Sequence, residues 1–290
     1  MMRAPRTFLE SKTLPRNGNS ARETDTLGTV ARAAVILRSL AEADEDVSIK
    51  ALSDQLQLAP STIHRLLHLL MEQGLVERGE NGHRYHAGTE FFRLGALVVN
   101  KTRIPKLALP YMRAVVDKCD EFCLLNLYLP AERKTMIAQT VSSSHPLTYT
   151  HEKFKPSAVT WGARSRAILA HLPEDEVRSI YESADVSPAN GGALPPLDEF
   201  LAILADIRRN GFVYSRSQKL QGAVGIAAPL FGAQGSVFGS MSVTVPEFRW
   251  DEKRLPEISG IVIEQARRLS SALGCRSANG LYRSQDRVRV

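Results

Sequence analysis

Apolar residues recur at helical spacing from Leu27 to Glu42, where Val30, Ala34, Leu37, Leu40 and Ala41 mark one face. The acidic run Glu42 to Asp46 ends that helix. Ser48 is placed to cap a second, short helix whose apolar face is Ile49, Leu52 and Leu56. A tight break at Leu58-Ala59-Pro60 follows, and Pro60 suits the first turn of a third helix from Ser61 to Gln73. That helix turns Ile63, Leu66, Leu67 and Leu70 inward and ends at Gly74, where a left-handed residue is wanted. Two strand-like runs, 75–78 and 84–86, flank a turn containing Asn81-Gly82, a strong hairpin signal. Helix, helix, turn, helix, hairpin is the order of a winged helix-turn-helix. Thr89 to Lys101 is again helical, with Phe91, Phe92, Leu94, Leu97 and Val98 crowding its surface. Such a helix needs a partner, and a second subunit is the natural one.

Beyond Pro105 and Pro110, read as punctuation before a second domain, helices and strands alternate irregularly. Helices are predicted at 111–119, 164–172, 174–182 and 197–210, and along the stripe Ile258, Ile261, Val262, Gln265, Leu269, Leu273. Strands are predicted at 123–129, 135–141, 224–231 and 237–245, the last two joined across Gly232 to Gly235. This mixture predicts an α+β sheet with helices packed on it. The boundaries that follow are a disordered basic arm over 1–24, a winged helix-turn-helix over 25–88, a linker and dimerisation helix over 89–104, an α+β domain over 105–275 and a basic tail over 276–290.

At 290 residues and 43% hydrophobic, the chain has room for two modest domains. No run of about eighteen apolar residues predicts a membrane span, and the polar N-terminus predicts no secretory signal; a cytoplasmic protein is expected. The net charge of +6 permits an anionic partner. Both ends are basic: Arg3, Arg6, Lys12, Arg16 and Arg22 at one, and Arg276, Arg283, Arg287 and Arg289 at the other. These ends either contact nucleic acid or are solvated tails. Within 25–88 the acids at least match the bases, so DNA binding there needs local complementarity and a dimer. Three cysteines, Cys119, Cys123 and Cys275, are too few for a disulfide framework and are read as buried thiols; Cys119 and Cys123 share a face only if their segment is helical throughout. No cofactor or metal is expected.

Opposite the apolar stripe of the third helix stand Ser61, Thr62, His64, Arg65 and His68. Arg pairs bidentately with guanine in the major groove, and hydroxyls near a helix start hold phosphate. Arg78, His83 and Arg84 sit on the hairpin; its tip either reaches the minor groove or backbone, or is a plain exposed turn. An enzyme is disfavoured. There is no Gly-x-Ser-x-Gly elbow, no His-Glu-x-x-His and no phosphate-cradling glycine loop, and no catalytic residues are assigned. A winged-helix protein-interaction module and a small-molecule enzyme stand as alternatives.

The residues resemble the IclR family of bacterial regulators. The resemblance runs through Val30-Ala-Arg-Ala33, Leu52-Ser-Asp54, Ser61 to Leu67, Gly74-Leu-Val76 and Leu94-Gly95. In the second half it runs through Arg166 to Ala170, Ile207 to Phe212, Gly225 to Pro229, Ser240 to Pro246 and Gln265 to Ser270. It implies a winged helix-turn-helix, a linker helix used in dimerisation, a GAF-like effector-binding domain, and homodimers or tetramers on double-stranded operator DNA. It also implies effector contacts at Ala163, Arg164, Ser215, Ala223, Gly225, Ser242 and Thr244. Members of the family often have small residues or glycine where Arg164 stands, and often an acid near Ser215. A cation at 164 with hydroxyls on facing strands suits a carboxylate effector; the alternative is that Arg164 points to solvent. Trp161 and Phe154 are candidates for an aromatic wall. Repressor and activator are not distinguished.

Overall fold

The computed structural model describes residues 28–101, 103–147, 149, 151–276 and 282. The chain divides into two compact units between Lys101 and Thr102.

The first unit comprises α1 (Thr29–Glu42), β1 (Val47–Ser48), α2 (Ile49–Leu56), α3 (Pro60–Glu72), β2 (Val76–Arg78), β3 (Arg84–Ala87) and α4 (Thr89–Lys101). The stripes of α2 and α3 converge on one core as expected; the inward face of α1 differs from the expected one, since Val30, Ala34 and Ala41 are exposed and Ile36 lies buried beside Leu40. Ile36 and Leu40 of α1, Leu52 of α2, and Ile63, Leu66, Leu67 and Leu70 of α3 pack with Val76 and Tyr85. Each such side chain contributes about 1.5–3 kcal/mol on leaving water. The caps follow from local chemistry. Ser48 Oγ accepts from the Ala51 N–H at 3.2 Å, and Pro60 opens α3. Gly74, at φ 66°, ends it: its N–H donates to the Met71 carbonyl while the Leu75 N–H reaches back to Leu70. The wing holds three strands rather than the expected two, ordered β1-β3-β2 and all antiparallel. At two residues, β1 is too short to carry an alternation signal. Gly88 must lack a side chain, because a Cβ there would stand 2.3 Å from the Gly74 carbonyl oxygen.

The second unit comprises α5 (Arg103–Cys119), β4 (Phe122–Leu129), β5 (Lys134–Val141), β6 (Ser157–Ala158), α6 (Ala163–Leu169), α7 (Glu174–Glu182), α8 (Leu197–Asn210), β7 (Val213–Arg216), β8 (Ala223–Phe231), β9 (Val237–Pro246) and α9 (Leu255–Ala272). Its strands form one antiparallel sheet of order β6-β5-β4-β9-β8-β7. Alternation along the strands serves two cores. Leu125, Ile226, Ala228, Met241 and Val243 meet Met112 and Val115 of α5 and Val262 and Ala266 of α9. On the opposite side Ala227 and Tyr128 join the core built on Ala167, Ile168, Val177, Phe200 and Leu204.

Three expectations are corrected here. Pro105 and Pro110 do not stand outside a helix: both lie in α5, Pro105 in its first turn, where no N–H is needed, and Pro110 within it. Burial of Ala108, Met112, Val115 and Cys119 along that helix outweighs the lost bond. Cys119 and Cys123 do not share a helix face; α5 ends at Cys119, Asp120 turns the chain at φ 50°, and Cys123 lies in β4. Both thiols are free and buried, and burial lifts Cys119 to about 11 and Cys123 further. Finally, Tyr282 is not part of a solvated tail. Its ring packs edge-on against Phe231, and its hydroxyl donates to the Pro229 carbonyl. The arm expected over 1–24, and the rest of the tail beyond Arg276, lie outside the described residues.

Candidate functional site

On the α6 side of the sheet is a cavity of about 770 Å³. Pairing of β7, β8 and β9 sets Ser215, Gly225 and Thr244 in register across it, with Ser242 one inward-facing position along β9 and Ala223 at the start of β8. Ala163 and Arg164 enter from the start of α6. All seven positions named above line this one cavity. The Ser215 hydroxyl is already engaged, accepting from the Ala163 N–H at 2.8 Å, and fixes the start of α6 to the sheet.

Arg164 lines the cavity, half-buried, and its Nη1 has no hydrogen-bond partner. Loss of water pulls the guanidinium down to about 10, so it is charged at neutral pH. Around it lie residues that the sequence did not single out. Lys219 donates from Nζ to the Ala158 carbonyl at 2.8 Å, Ser157 Oγ at 3.1 Å and Ser165 Oγ at 3.2 Å. Burial first, and the charge of Arg164 second, pull its ammonium down to about 7. His151 stacks on Phe122 at 5.4 Å between ring centroids and leaves Nε2 unpartnered. Burial, then Arg164, push it to about 4, which makes it a neutral imidazole at pH 7. Gln218 Oε1, also in the lining, has no partner. Trp161 contributes an aromatic wall, its Nε1 donating to the Asp185 carbonyl at 2.8 Å. Phe154 does not: it is 54% exposed, turned outward by a left-handed backbone at φ 64°, and is absent from the lining.

In the first unit α3 divides cleanly. Ile63, Leu66, Leu67 and Leu70 are buried, while Ser61, His64, Arg65 and His68 are exposed and Thr62 is half-exposed. The His68 Nδ1 lies 3.3 Å from a carboxylate oxygen of Glu72, one turn on. On the wing, Arg78 is exposed and lies over the Tyr85 ring at 5.7 Å, and His83 is exposed at the tip. Arg84 is exposed and reaches the acidic loop before β1. It donates to the Asp46 carbonyl at 3.1 Å and lies 3.8 Å from Glu45, so the acidic loop before β1 holds it.

Two family models match the chain. One, the C-terminal domain of the bacterial transcriptional regulator IclR, covers residues 96–271; the other, the IclR helix-turn-helix domain, covers residues 29–80. The chain belongs to the IclR family. It is a DNA-binding transcription regulator with the winged helix-turn-helix and α+β effector-binding domain of that family. Among IclR relatives, the HTH-type transcriptional regulator KdgR of Escherichia coli is 23% identical over 258 residues, covering 89% of this chain and 97% of that protein. BhcR of Paracoccus denitrificans is 26% identical over 241 residues, 81% of this chain and 83% of that protein. A solved IclR regulator from Silicibacter superposes with a TM-score of 0.76 at 22% identity, covering 85% of this chain and 96% of that one. An IclR homologue from Microbacterium hydrocarbonoxydans, solved in complex with 4-hydroxybenzoate, gives a TM-score of 0.67 at 20% identity over 85% and 99%.

Within this IclR fold, the cavity residues missed by sequence reading share one property: they sit in connections. Lys219 and Gln218 lie between β7 and β8, and His151 precedes β6. No periodic signal marks such positions; only the folded chain brings them to the cavity that Arg164 lines. Among the described residues no helix is long and apolar enough to cross a membrane, and no group of three or more His, Cys, Asp or Glu side chains is arranged to hold a metal ion.

Proposed function

We propose that this chain is a ligand-responsive regulator whose cavity takes a small organic or aromatic acid and whose target genes serve that acid's catabolism. The observation that carries the reading is the unpartnered Nη1 of Arg164 inside a cavity lined by Ser242, Thr244 and Trp161. A buried donor without a partner is costly to leave unmade, and a carboxylate satisfies it with a charge-assisted bond. The complex of the Microbacterium homologue with 4-hydroxybenzoate supports an acid of this size. Calorimetric titration of the full chain with a panel of aliphatic and aromatic carboxylates is the test. Binding of at least one is expected, and silence across the panel removes the reading.

The DNA contacts on this reading come from Ser61, Thr62, His64, Arg65 and His68, with Arg78 and His83 from the wing. Arg84, held by the acidic loop, supports the wing instead. Arg65→Ala is expected to weaken binding to the cognate operator by about 1–3 kcal/mol while changing affinity for unrelated duplex little. A gel shift with the region upstream of the protein's own gene, repeated with random duplex, checks this. An equal loss on both would demote Arg65 to a phosphate contact.

We assign dimerisation to α4. Phe92 is 77% exposed there, with Leu94 and Leu97 each 40% exposed, a large apolar face for a solvated helix. Phe92→Asp is expected to turn a dimer into monomer and to lower operator affinity with it, read by light scattering and gel shift. A dimer that survives the substitution places the interface elsewhere. Ligand response then requires that the acid bind two arrangements of the dimer with different affinity.

A further inference from the structure

The inference that follows rests on the small-acid reading of the cavity and names which acids it takes. Arg164 and Lys219 line the same cavity. Neither has a carboxylate of the described residues within ion-pairing distance; the nearby Glu152 pairs with Lys155 at 2.6 Å. Two cations therefore share one low-dielectric space, neither of them ion-paired, and each raises the cost of the other. Their donors are unequally free. Lys219 spends its three N–H groups on Ala158, Ser157 and Ser165, so it offers a ligand its charge and not a hydrogen bond. Arg164 keeps Nη1 to give.

We infer that Lys219 is the specificity-determining residue of this cavity, and that it makes the site select small dianions, dicarboxylates or phosphate monoesters, over the matching monoanions. One anionic group of the ligand accepts from Arg164 Nη1, and the second lies in the field of Lys219. A monoanion balances only one of the two charges. At about 770 Å³ the cavity has room for a two-headed acid.

The same geometry couples binding to a proton. In the empty cavity burial and Arg164 hold Lys219 near 7. Well above that pH the residue is a neutral amine with two N–H groups for three acceptors. A dianion removes the repulsion and raises the pKa, and a proton is taken up from solvent. The ammonium then fastens β6, α6 and the β7–β8 connection together. By linkage, affinity is greatest where Lys219 is already charged, below about pH 7, and falls as pH rises toward its ligand-bound pKa. The other charged or titratable groups facing this space are His151, Glu152, Lys155 and Asp185. His151, at about 4, does not change charge in that window. Arg216 on β7 is exposed and paired with Glu247.

The test is calorimetry on the full chain with matched pairs: benzoate and terephthalate, butyrate and succinate, glycolate and phosphoglycolate. Titrations run at about pH 6 and about pH 8.5, in buffers of differing ionisation enthalpy, so that proton uptake is read directly. Wild type is expected to prefer a dianion by roughly tenfold or more at the lower pH and to take up a proton at the higher. Lys219→Gln should bind both members of a pair about equally. Lys219→Arg should keep the preference and lose the proton uptake, an outcome that a merely structural lysine does not produce. Dianion preference that survives Lys219→Gln, or no preference in any pair that binds, overturns the inference. Which pairs respond separates dicarboxylates from phosphate esters. If none of the six binds, the small-acid reading fails with these probes, and a second measurement still judges Lys219. NMR titration of its ε-amine should show a higher pKa in Arg164→Met than in wild type; an unchanged value overturns the coupling.

Discussion

Exchanging Arg164 for alanine is expected to weaken binding of the tightest carboxylate by about 2–5 kcal/mol, roughly thirtyfold to a few thousandfold, without unfolding the protein. The size of the loss follows from burial. A carboxylate entering this cavity gives up its water, and only a charged donor aimed at it makes that exchange favourable. His151 is no substitute, because a neutral imidazole offers no charge, and Lys219 has already committed its N–H groups. The stability side follows from the same facts. Nη1 has no partner to lose, and the backbone role of residue 164, whose carbonyl accepts from Ser240 Oγ at 2.7 Å, survives in alanine. Calorimetry on the variant measures the affinity, and thermal unfolding, unchanged within a few degrees, measures the rest. Equal affinity in wild type and variant would remove Arg164 from the ligand site.

The elements of the first unit, though not the inward face of α1, were legible in its sequence, because they announce themselves locally. Ser48, Pro60, Gly74 and Asn81-Gly82 are each a cap or turn whose chemistry acts within a few residues, and the stripe Ile63, Leu66, Leu67, Leu70 states which side of α3 is buried. What escaped was short or overruled. The strands β1, β6 and β7 have two to four residues, too few to show a period. In α5, burial along one face carried the helix through Pro110. The cavity is a different case. Ser215, Gly225, Ser242 and Thr244 have no local signature; their meeting is a matter of strand register, and they were named through resemblance to the IclR family. Resemblance in turn did not reach Lys219 or His151, which sit in loops and depend on this chain's own Arg164. Arg84 shows the converse limit. Its position at the hairpin suggests a groove contact, and nothing in the sequence shows that the acidic residues at 45–46 lie beside it in space.

The largest loss of stability is expected at Glu121, far from both proposed binding surfaces in character. Glu121 is fully buried, and its two carboxylate oxygens are divided between Arg249 at 2.7 Å and Arg254 at 3.2 Å. Arg254 also donates to the Cys119 carbonyl at 2.9 Å. The trio therefore fastens the join between α5 and β4 to the segment that follows β9. Glu121→Ala is expected to cost about 3–5 kcal/mol, because two largely enclosed guanidinium groups lose their counter-charge while water cannot fully reach them. Trp161 and Trp250, the two tryptophans of the chain, both lie in the second unit, so urea unfolding followed by tryptophan fluorescence reports that unit alone. The transition should move to lower urea in the variant; a loss below about 1 kcal/mol would mean that the arginines find water or another acceptor. The triple change Glu121→Leu, Arg249→Met, Arg254→Met separates the two explanations of such a cost. If it comes from stranding charge, the apolar trio restores most of the lost stability, since a buried ion network and a well-packed apolar one of similar volume are often nearly equal in free energy. If it comes from Arg254 leaving the Cys119 carbonyl once Glu121 no longer holds it, a bond that the triple variant also lacks, stability stays low.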